Sequence, residues 1–214
     1  MKGRRGPRGP QGPRGPRGAK PYAPRTPEDP EDPEDPEDPE DPEDPEDPWI
    51  YAMPLLHVCL TKHPDGGSIL KCIRDDGSAT WQRHHGRTGA FFPLHDLTHF
   101  AVESVLGVRR AFYGLIAEGW DIEDTTGKGS RGALPPEALA VERLVGALDL
   151  ERAGSAFWSA AELDAHCYGT GAPPGLRLPR SIGEEDLARI RSRISALLAQ
   201  WAALPTGHTL EVWF

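Results

Sequence analysis

The alternation of apolar and polar residues between positions 55 and 83 predicts a small antiparallel β-meander. Turn sequences that contain Asp-Gly, which is typical of tight hairpins, separate the apolar-rich runs. The predicted strands and turns are Leu55 to Leu60, Pro64-Asp65-Gly66-Gly67, Ser68 to Arg74, Asp75-Asp76-Gly77 and Ala79 to Arg83. A turn centred on Asp65 and Gly66 places Cys59 opposite Cys72, where we expect two small buried thiols rather than a disulfide or a shared metal.

The pattern changes to helical spacing after residue 92 and returns to strand alternation at the end of the chain. Pro93, at a first-turn position, and Gly107, at a C-terminal position, bound the first predicted helix. Ser-x-x-Glu capping signatures begin two later helices, at Ser159 and at Ser181. The predicted elements are helices over 93–107, 108–120, 136–151, 159–167 and 181–201, and a closing strand over 209–214.

These elements predict an α+β fold, in which a small antiparallel sheet packs against several helices. We expect a single domain over residues 49–214. Leu94, Leu97, Ala101, Val102, Val105 and Leu106 cover much of the circumference of the first helix, which predicts a central position in the core.

Residues 1–48 are of low complexity and predict a disordered tail. Gly recurs at every third position from Gly3, as in collagen, and Glu-Asp-Pro is repeated seven times from Glu28 to Pro48. One repeated nucleotide sequence encodes Glu-Asp-Pro in one frame and Gly-Pro-Arg in another. We therefore expect a repeat expansion or translation that begins near Met53, which intact-mass measurement would test; the alternative is a polyampholyte tail that binds a charged partner or itself.

The formal net charge of −9 belongs mostly to this tail, which has 8 basic and 14 acidic residues. Residues 49–214 retain 16 basic and 19 acidic residues, so no nucleic-acid partner is expected. No apolar run is long enough to predict a membrane span. Three cysteines form no disulfide framework, which favours a cytoplasmic location.

Most of the residues that could carry chemistry lie between Pro93 and Asp121. His95 and His99 are four residues apart, so both imidazoles lie on one face of the predicted helix. Asp96 follows the first histidine, and Glu118 follows the second after eighteen residues, which makes HDxxH-x18-E. Two imidazoles a helical turn apart supply two of the roughly four ligands that zinc prefers, and a second helix must supply the third.

This motif resembles that of the gluzincin zinc metallopeptidases, which carry HExxH and a Glu ligand on a second helix. The aminopeptidase branch is most similar, since it has the same eighteen-residue spacing and places the Glu before Gly and an aromatic residue, here Gly119 and Trp120. The resemblance implies that His95, His99 and Glu118 bind zinc and that Asp96 is the catalytic base. It covers about thirty residues.

The chain departs from this family at Asp96, where the family has Glu. The shorter side chain places its carboxylate about 1 Å from the required position, and such a displacement can cost roughly 10²-fold in rate. Zinc-binding helical proteins of ubiquinone biosynthesis also carry HDxxH, but their Glu follows after eleven residues, where this chain has Ala111.

Glu103 follows His99 by four residues, and we expect its carboxylate to accept a hydrogen bond from that imidazole and so to orient it, without binding the metal itself. The predicted function is metal binding in a possible zinc-dependent hydrolase, in which water activated by the metal is the nucleophile and the substrate is unknown. Iron is an alternative metal. The alternative function is a noncatalytic binding or structural module with a metal-free His/acid network or a closed metal site. Residues 121–132 form either a lip of the site or a connector.

Overall fold

The computed structural model of this chain describes residues 55–154 and 156–214. The predicted tail over residues 1–48 and the predicted start near Met53 lie outside these ranges. The described residues form an α+β fold with a four-stranded sheet, as the sequence predicts. Within these ranges no helix has both the length and the apolar character that crossing a membrane requires.

The elements follow the predicted order along the chain, and a short 3-10 turn follows the second helix. In chain order they are β1 (His57–Lys62), β2 (Ser68–Ile73), β3 (Ala79–His84), α1 (Gly86–Leu106), α2 (Phe112–Ala117), the 3-10 turn (Asp124–Thr126), α3 (Pro136–Arg152), α4 (Ala160–Tyr168), α5 (Glu184–Ala203) and β4 (Thr209–Trp213).

The sheet is antiparallel with strand order β3-β2-β1-β4, so the closing strand returns beside β1 as predicted. The register of the first hairpin differs from the prediction, because Cys59 lies opposite Lys71 and Cys72 lies opposite Val58. The N–H group of His63 donates to the carbonyl oxygen of Gly67 at 2.9 Å, so the loop contains three residues rather than two. A shift of one residue moves a side chain to the other face of a strand. Cys72 is accordingly buried, and Cys59 is only half-buried.

Helix α1 begins seven residues before the predicted first residue, Pro93, which lies inside the helix. It ends as predicted at Gly107, where a positive φ of 66° suits glycine. Helix α2 is shorter than predicted, at six residues. The capping box of Ser159 and Glu162 is present at the start of α4, whereas α5 begins after Gly183 rather than after Ser181.

Helix α1 separates two hydrophobic cores. On one side, Leu97 and Phe100 pack with the inner face of the sheet and with Leu197 and Trp201 of α5. On the other side, Val102 packs among residues of α3, α4 and α5. Burial on both sides fixes the rotation of α1 and thereby the direction in which its polar residues can face.

Candidate metal centre

His95 and His99 of α1 and Glu142 of α3 form a group whose ligand atoms all lie within 4.8 Å of one another. The four-residue spacing places the two imidazoles on one face of α1, with ring centroids 4.8 Å apart. Helix α3 packs beside α1, and Oε1 of Glu142 lies 3.4 Å from Nε2 of His99. Among the described residues these three side chains are therefore close enough to share one ion.

Each imidazole has a carboxylate partner at its Nδ1 atom. Nδ1 of His95 lies 2.7 Å from Oδ2 of Asp149, and Nδ1 of His99 lies 3.2 Å from Oε1 of Glu103. When Nδ1 carries the proton that each carboxylate accepts, Nε2 is left as the coordinating atom. Acidic residues commonly orient metal-binding histidines in this way.

The two orienting carboxylates are themselves held in place. The guanidinium of Arg152 donates to Oδ1 of Asp149 from Nη2 at 3.2 Å and from Nε at 3.4 Å. The hydroxyl of Thr98 lies 3.4 Å from the same oxygen, but its proton goes to the carbonyl oxygen of Leu94 at 2.8 Å. Glu103 is fully buried, and its Oε2 accepts the backbone N–H groups of Tyr113 at 3.0 Å and Gly114 at 3.3 Å. The geometry of the imidazoles is thus fixed by α1, α2 and α3 together.

The backbone at the start of α2 lies very close to the backbone of Arg109, and this close approach accompanies the hydrogen bonds that Tyr113 and Gly114 donate to Glu103. A Cβ atom built on Gly114 would lie only 1.8 Å from the carbonyl oxygen of Arg109. Only glycine fits there, and its N–H group reaches Oε2 of Glu103.

The charges of the group depend on one another. Burial opposes a charged His99, but the hydrogen bonds to Glu103 and Glu142 and their negative charges outweigh it and raise the pKa of His99 to about 10. Burial also works against the charged form of Glu142, but the hydrogen bond and the charge of His99 lower the pKa of this carboxyl. Without a metal, a protonated His99 and the carboxylate of Glu142 therefore form an ion pair.

Asp96 lies beside the histidines and lines the same cavity as they do. Its side chain is buried, and Oδ2 has no hydrogen-bond partner among the described residues. Burial, with the charges of Glu142 and Asp149 adding to it and that of His99 opposing it, raises the pKa of Asp96 to about 7. A buried carboxylate oxygen without a hydrogen-bond donor is costly, which agrees with the raised pKa of Asp96.

The three metal-site residues and Asp96 border a cavity of about 390 Å³. Thr125 and Thr126 also line it, so part of the 121–132 segment forms a lip of the site. The remaining lining residues are Gln82, Phe92, Phe112, Ile122 and Leu134.

The third member of the group differs from the sequence prediction. Glu142 stands where the resemblance implies Glu118, which is an exposed residue at the C-terminal cap of α2. Because α2 buries Tyr113 to Ile116 and ends at Ala117, Glu118 follows the buried part of the helix. The structure brings together His95, His99, Asp96 and Glu103 as predicted neighbours, without Glu118 among them.

Two residues of this arrangement, Glu142 and Asp149, were not predicted from the sequence. They are seven residues apart on α3, which is two helical turns, so both lie on the same side of the helix. The sequence feature that could have indicated them is that each acid directly follows an apolar residue that is buried in α3, Val141 or Leu148.

Comparisons of the chain with models of known families, with curated proteins and with solved structures gave no match. The gluzincin resemblance therefore rests on the short motif alone, and the geometry of the group carries the functional argument.

Proposed function

We propose that His95, His99 and Glu142 bind a divalent transition-metal ion, with zinc the first candidate, and that the site hydrolyses a small molecule. The observation that carries this proposal is the pairing of both Nδ1 atoms with Asp149 and Glu103, which leaves each Nε2 to coordinate, in a group whose ligand atoms lie within 4.8 Å of one another. Two imidazoles and one carboxylate are also the ligand set of non-haem iron, so iron is the alternative metal.

The residues fit a metal in two respects. Catalytic zinc sites have three protein ligands and keep one position for water or substrate, and this group has three members beside a cavity. The orphaned Oδ2 of Asp96 also needs a donor, which a water molecule at the site would provide. A bound ion would supply Lewis-acid activation of that water and polarisation of a substrate carbonyl.

Asp96 is the proposed catalytic base. It would accept a proton from water at Oδ2 and pass it to the leaving group, and its burial keeps bulk water from competing for this oxygen. The carbonyl oxygen of Asp96 accepts the hydroxyl of Tyr113 at 3.2 Å, which helps to hold this turn of α1 in place.

The second candidate is a metal-free polar network in a binding or structural module. The observation in its favour is the ion pair of His99 with Glu103 and Glu142, in which each His99 nitrogen has a carboxylate partner. In that case the group stabilises the packing of α1 on α3 without an ion.

Elemental analysis of the purified full-length chain, followed by His99→Ala, distinguishes these candidates. The proposal predicts one equivalent of metal that His99→Ala loses while the fold is retained. An Asp96→Asn variant should keep the metal and lose hydrolysis. A chain that takes up no metal from zinc- or iron-supplemented buffer would support the metal-free network instead.

We also propose a reducing, cytoplasmic environment. All three cysteines of the chain are free thiols, which supports this location.

A further inference from the structure

We infer that the cavity beside the metal centre takes a small uncharged amide with an apolar acyl group, and that Thr125 and Thr126 accept its N–H groups. This inference rests on the proposed function, since it names the substrate class of the same site. It is drawn from the charge, the hydrogen-bonding capacity and the shape of the cavity wall.

Away from the metal ion and the imidazoles that would hold it, the cavity wall argues against an anionic group on the substrate. Its acidic residues are Asp96 and Glu142, and none of the described residues that line it is lysine or arginine. The guanidinium nearest to the orienting carboxylates, that of Arg152, is engaged with Asp149. A carboxylate or phosphate on the part of the substrate remote from the ion would thus have no side-chain cation in the cavity wall to pair with.

The polar groups of the lip are acceptors rather than donors. Thr125 donates its hydroxyl to the carbonyl oxygen of Ile122 and Thr126 donates to that of Glu123, both at 2.7 Å. A hydroxyl has one proton, so these oxygens can only accept from a ligand. Oγ1 of Thr126 also accepts the backbone N–H of Lys128 at 3.3 Å, which leaves it one further lone pair. Amide and amine N–H groups are the matching donors.

Hydrogen bonds within residues 121–131 and to β3 hold the lip, and with it the two threonine hydroxyls, in place. The backbone N–H of Ile122 donates to the hydroxyl oxygen of Thr80 on β3 at 3.1 Å. The carboxylate of Asp124 accepts the N–H of Asp121 at 3.2 Å, and the N–H of Arg131 and the hydroxyl of Ser130, both at 3.3 Å. These bonds fold residues 121–131 onto themselves and onto the sheet, which keeps the threonine hydroxyls in place.

The apolar wall sets the character and the size of the acyl group. Phe92 stacks on the buried ring of His84 at 4.2 Å, and Phe112 lies 5.4 Å from the ring of His99. Ile122 and Leu134 complete the apolar lining. A volume of about 390 Å³ is near the lower end of the range for small-molecule sites, so an acyl group such as benzoyl fits better than a peptide.

The reaction balances without any further reagent. The water oxygen forms a bond to the acyl carbon while the C–N bond breaks. The proton that Asp96 accepts from water passes to the leaving nitrogen. The products are one carboxylic acid and one amine.

The test uses cobalt-substituted full-length chain, because the visible spectrum of Co²⁺ reports ligands that enter the site whether or not turnover occurs. Benzohydroxamate is compared with 4-carboxybenzohydroxamate, which has the same metal-binding group and one added negative charge. We expect the charged compound to bind at least tenfold more weakly, and Thr126→Lys to reduce or reverse that difference.

The N–H requirement is tested with N-methylbenzohydroxamate, which lacks the donor. Wild type should bind it more weakly than benzohydroxamate, and Thr125→Val should remove that preference; an unchanged cobalt spectrum without ligand shows that the variant retains the site. Equal binding of all three compounds to wild type would overturn the inference while leaving the metal proposal intact. Failure of cobalt to bind at all would overturn the proposed function itself.

Discussion

Nδ1 of His95 lies 2.7 Å from Oδ2 of Asp149, and this contact links the helix that carries HDxxH to the helix that carries Glu142. Asp149 and Glu142 lie two turns apart on α3. The helix that supplies Glu142, the third member of the candidate group, therefore also orients the first imidazole. The spacing of the group depends on how α3 packs against α1.

Asp149→Asn should weaken metal binding without unfolding the chain. The amide cannot replace the negative charge that favours the Nδ1–H tautomer of His95, and loss of such a partner typically costs 10–100-fold in metal affinity. Competition with a chromogenic chelator measures the affinity. Asp164→Asn is the matched control, because Asp164 pairs at the surface with Arg177 at 3.6 Å. An equal loss of affinity in both variants would contradict the role of Asp149.

Glu103→Gln should lower the free energy of unfolding by about 1–3 kcal/mol, because an amide must replace a buried carboxylate that accepts from His99 and from two backbone N–H groups. Urea denaturation of the metal-free chain measures this change. Glu118→Gln, at an exposed position, should change it by less than about 0.5 kcal/mol. A larger effect at Glu118 than at Glu103 would contradict the structure.

Gly114→Ala and Gly146→Ala should have opposite effects on stability. The methyl group at position 114 would overlap the backbone of Arg109, so we expect a loss of more than about 1 kcal/mol. At Gly146, inside α3, nothing lies within 4 Å, and alanine should add about 0.5–1 kcal/mol through its higher helix propensity. Thermal unfolding of both variants measures these changes. Two variants of equal stability would show that α2 does not approach the preceding backbone closely.

Cys167 should make the fold less stable in alkaline solution. Burial raises the pKa of this thiol from 9.0 to about 11. The folded state therefore favours the protonated thiol, and the stability that this provides is complete below pH 9 and is lost as the pH rises to about 11. Urea denaturation between pH 8 and 11 should show a smaller alkaline loss in Cys167→Ala than in wild type. An identical pH dependence in the two proteins would contradict this assignment.

Local sequence patterns predicted the features that depend on near neighbours. The four-residue spacings of His95, His99 and Glu103, the end of α1 at Gly107 and the capping box of α4 all follow from a single turn of helix. The α+β class followed in the same way from the change of period after the meander.

The features that depend on tertiary packing could not be predicted in this way. Glu142 joins the group because α3 packs on α1. No spacing within the HDxxH segment indicates that Glu142 lies close to the two imidazoles. The hairpin register depended on whether two or three residues form the loop, a choice that Pro64-Asp65-Gly66-Gly67 does not decide by composition. Pro93 is a residue type typical of a helix start, but it lies inside α1, which already begins at Gly86.

The most direct test of the metal centre is zinc titration of the metal-free full-length chain, with Glu142→Ala and Glu118→Ala compared by calorimetry. The structure predicts one site in wild type and in Glu118→Ala, and a loss of affinity of at least tenfold in Glu142→Ala. Loss of binding in Glu118→Ala with retention in Glu142→Ala would contradict the proposed ligand set, as would the failure of wild type to bind zinc.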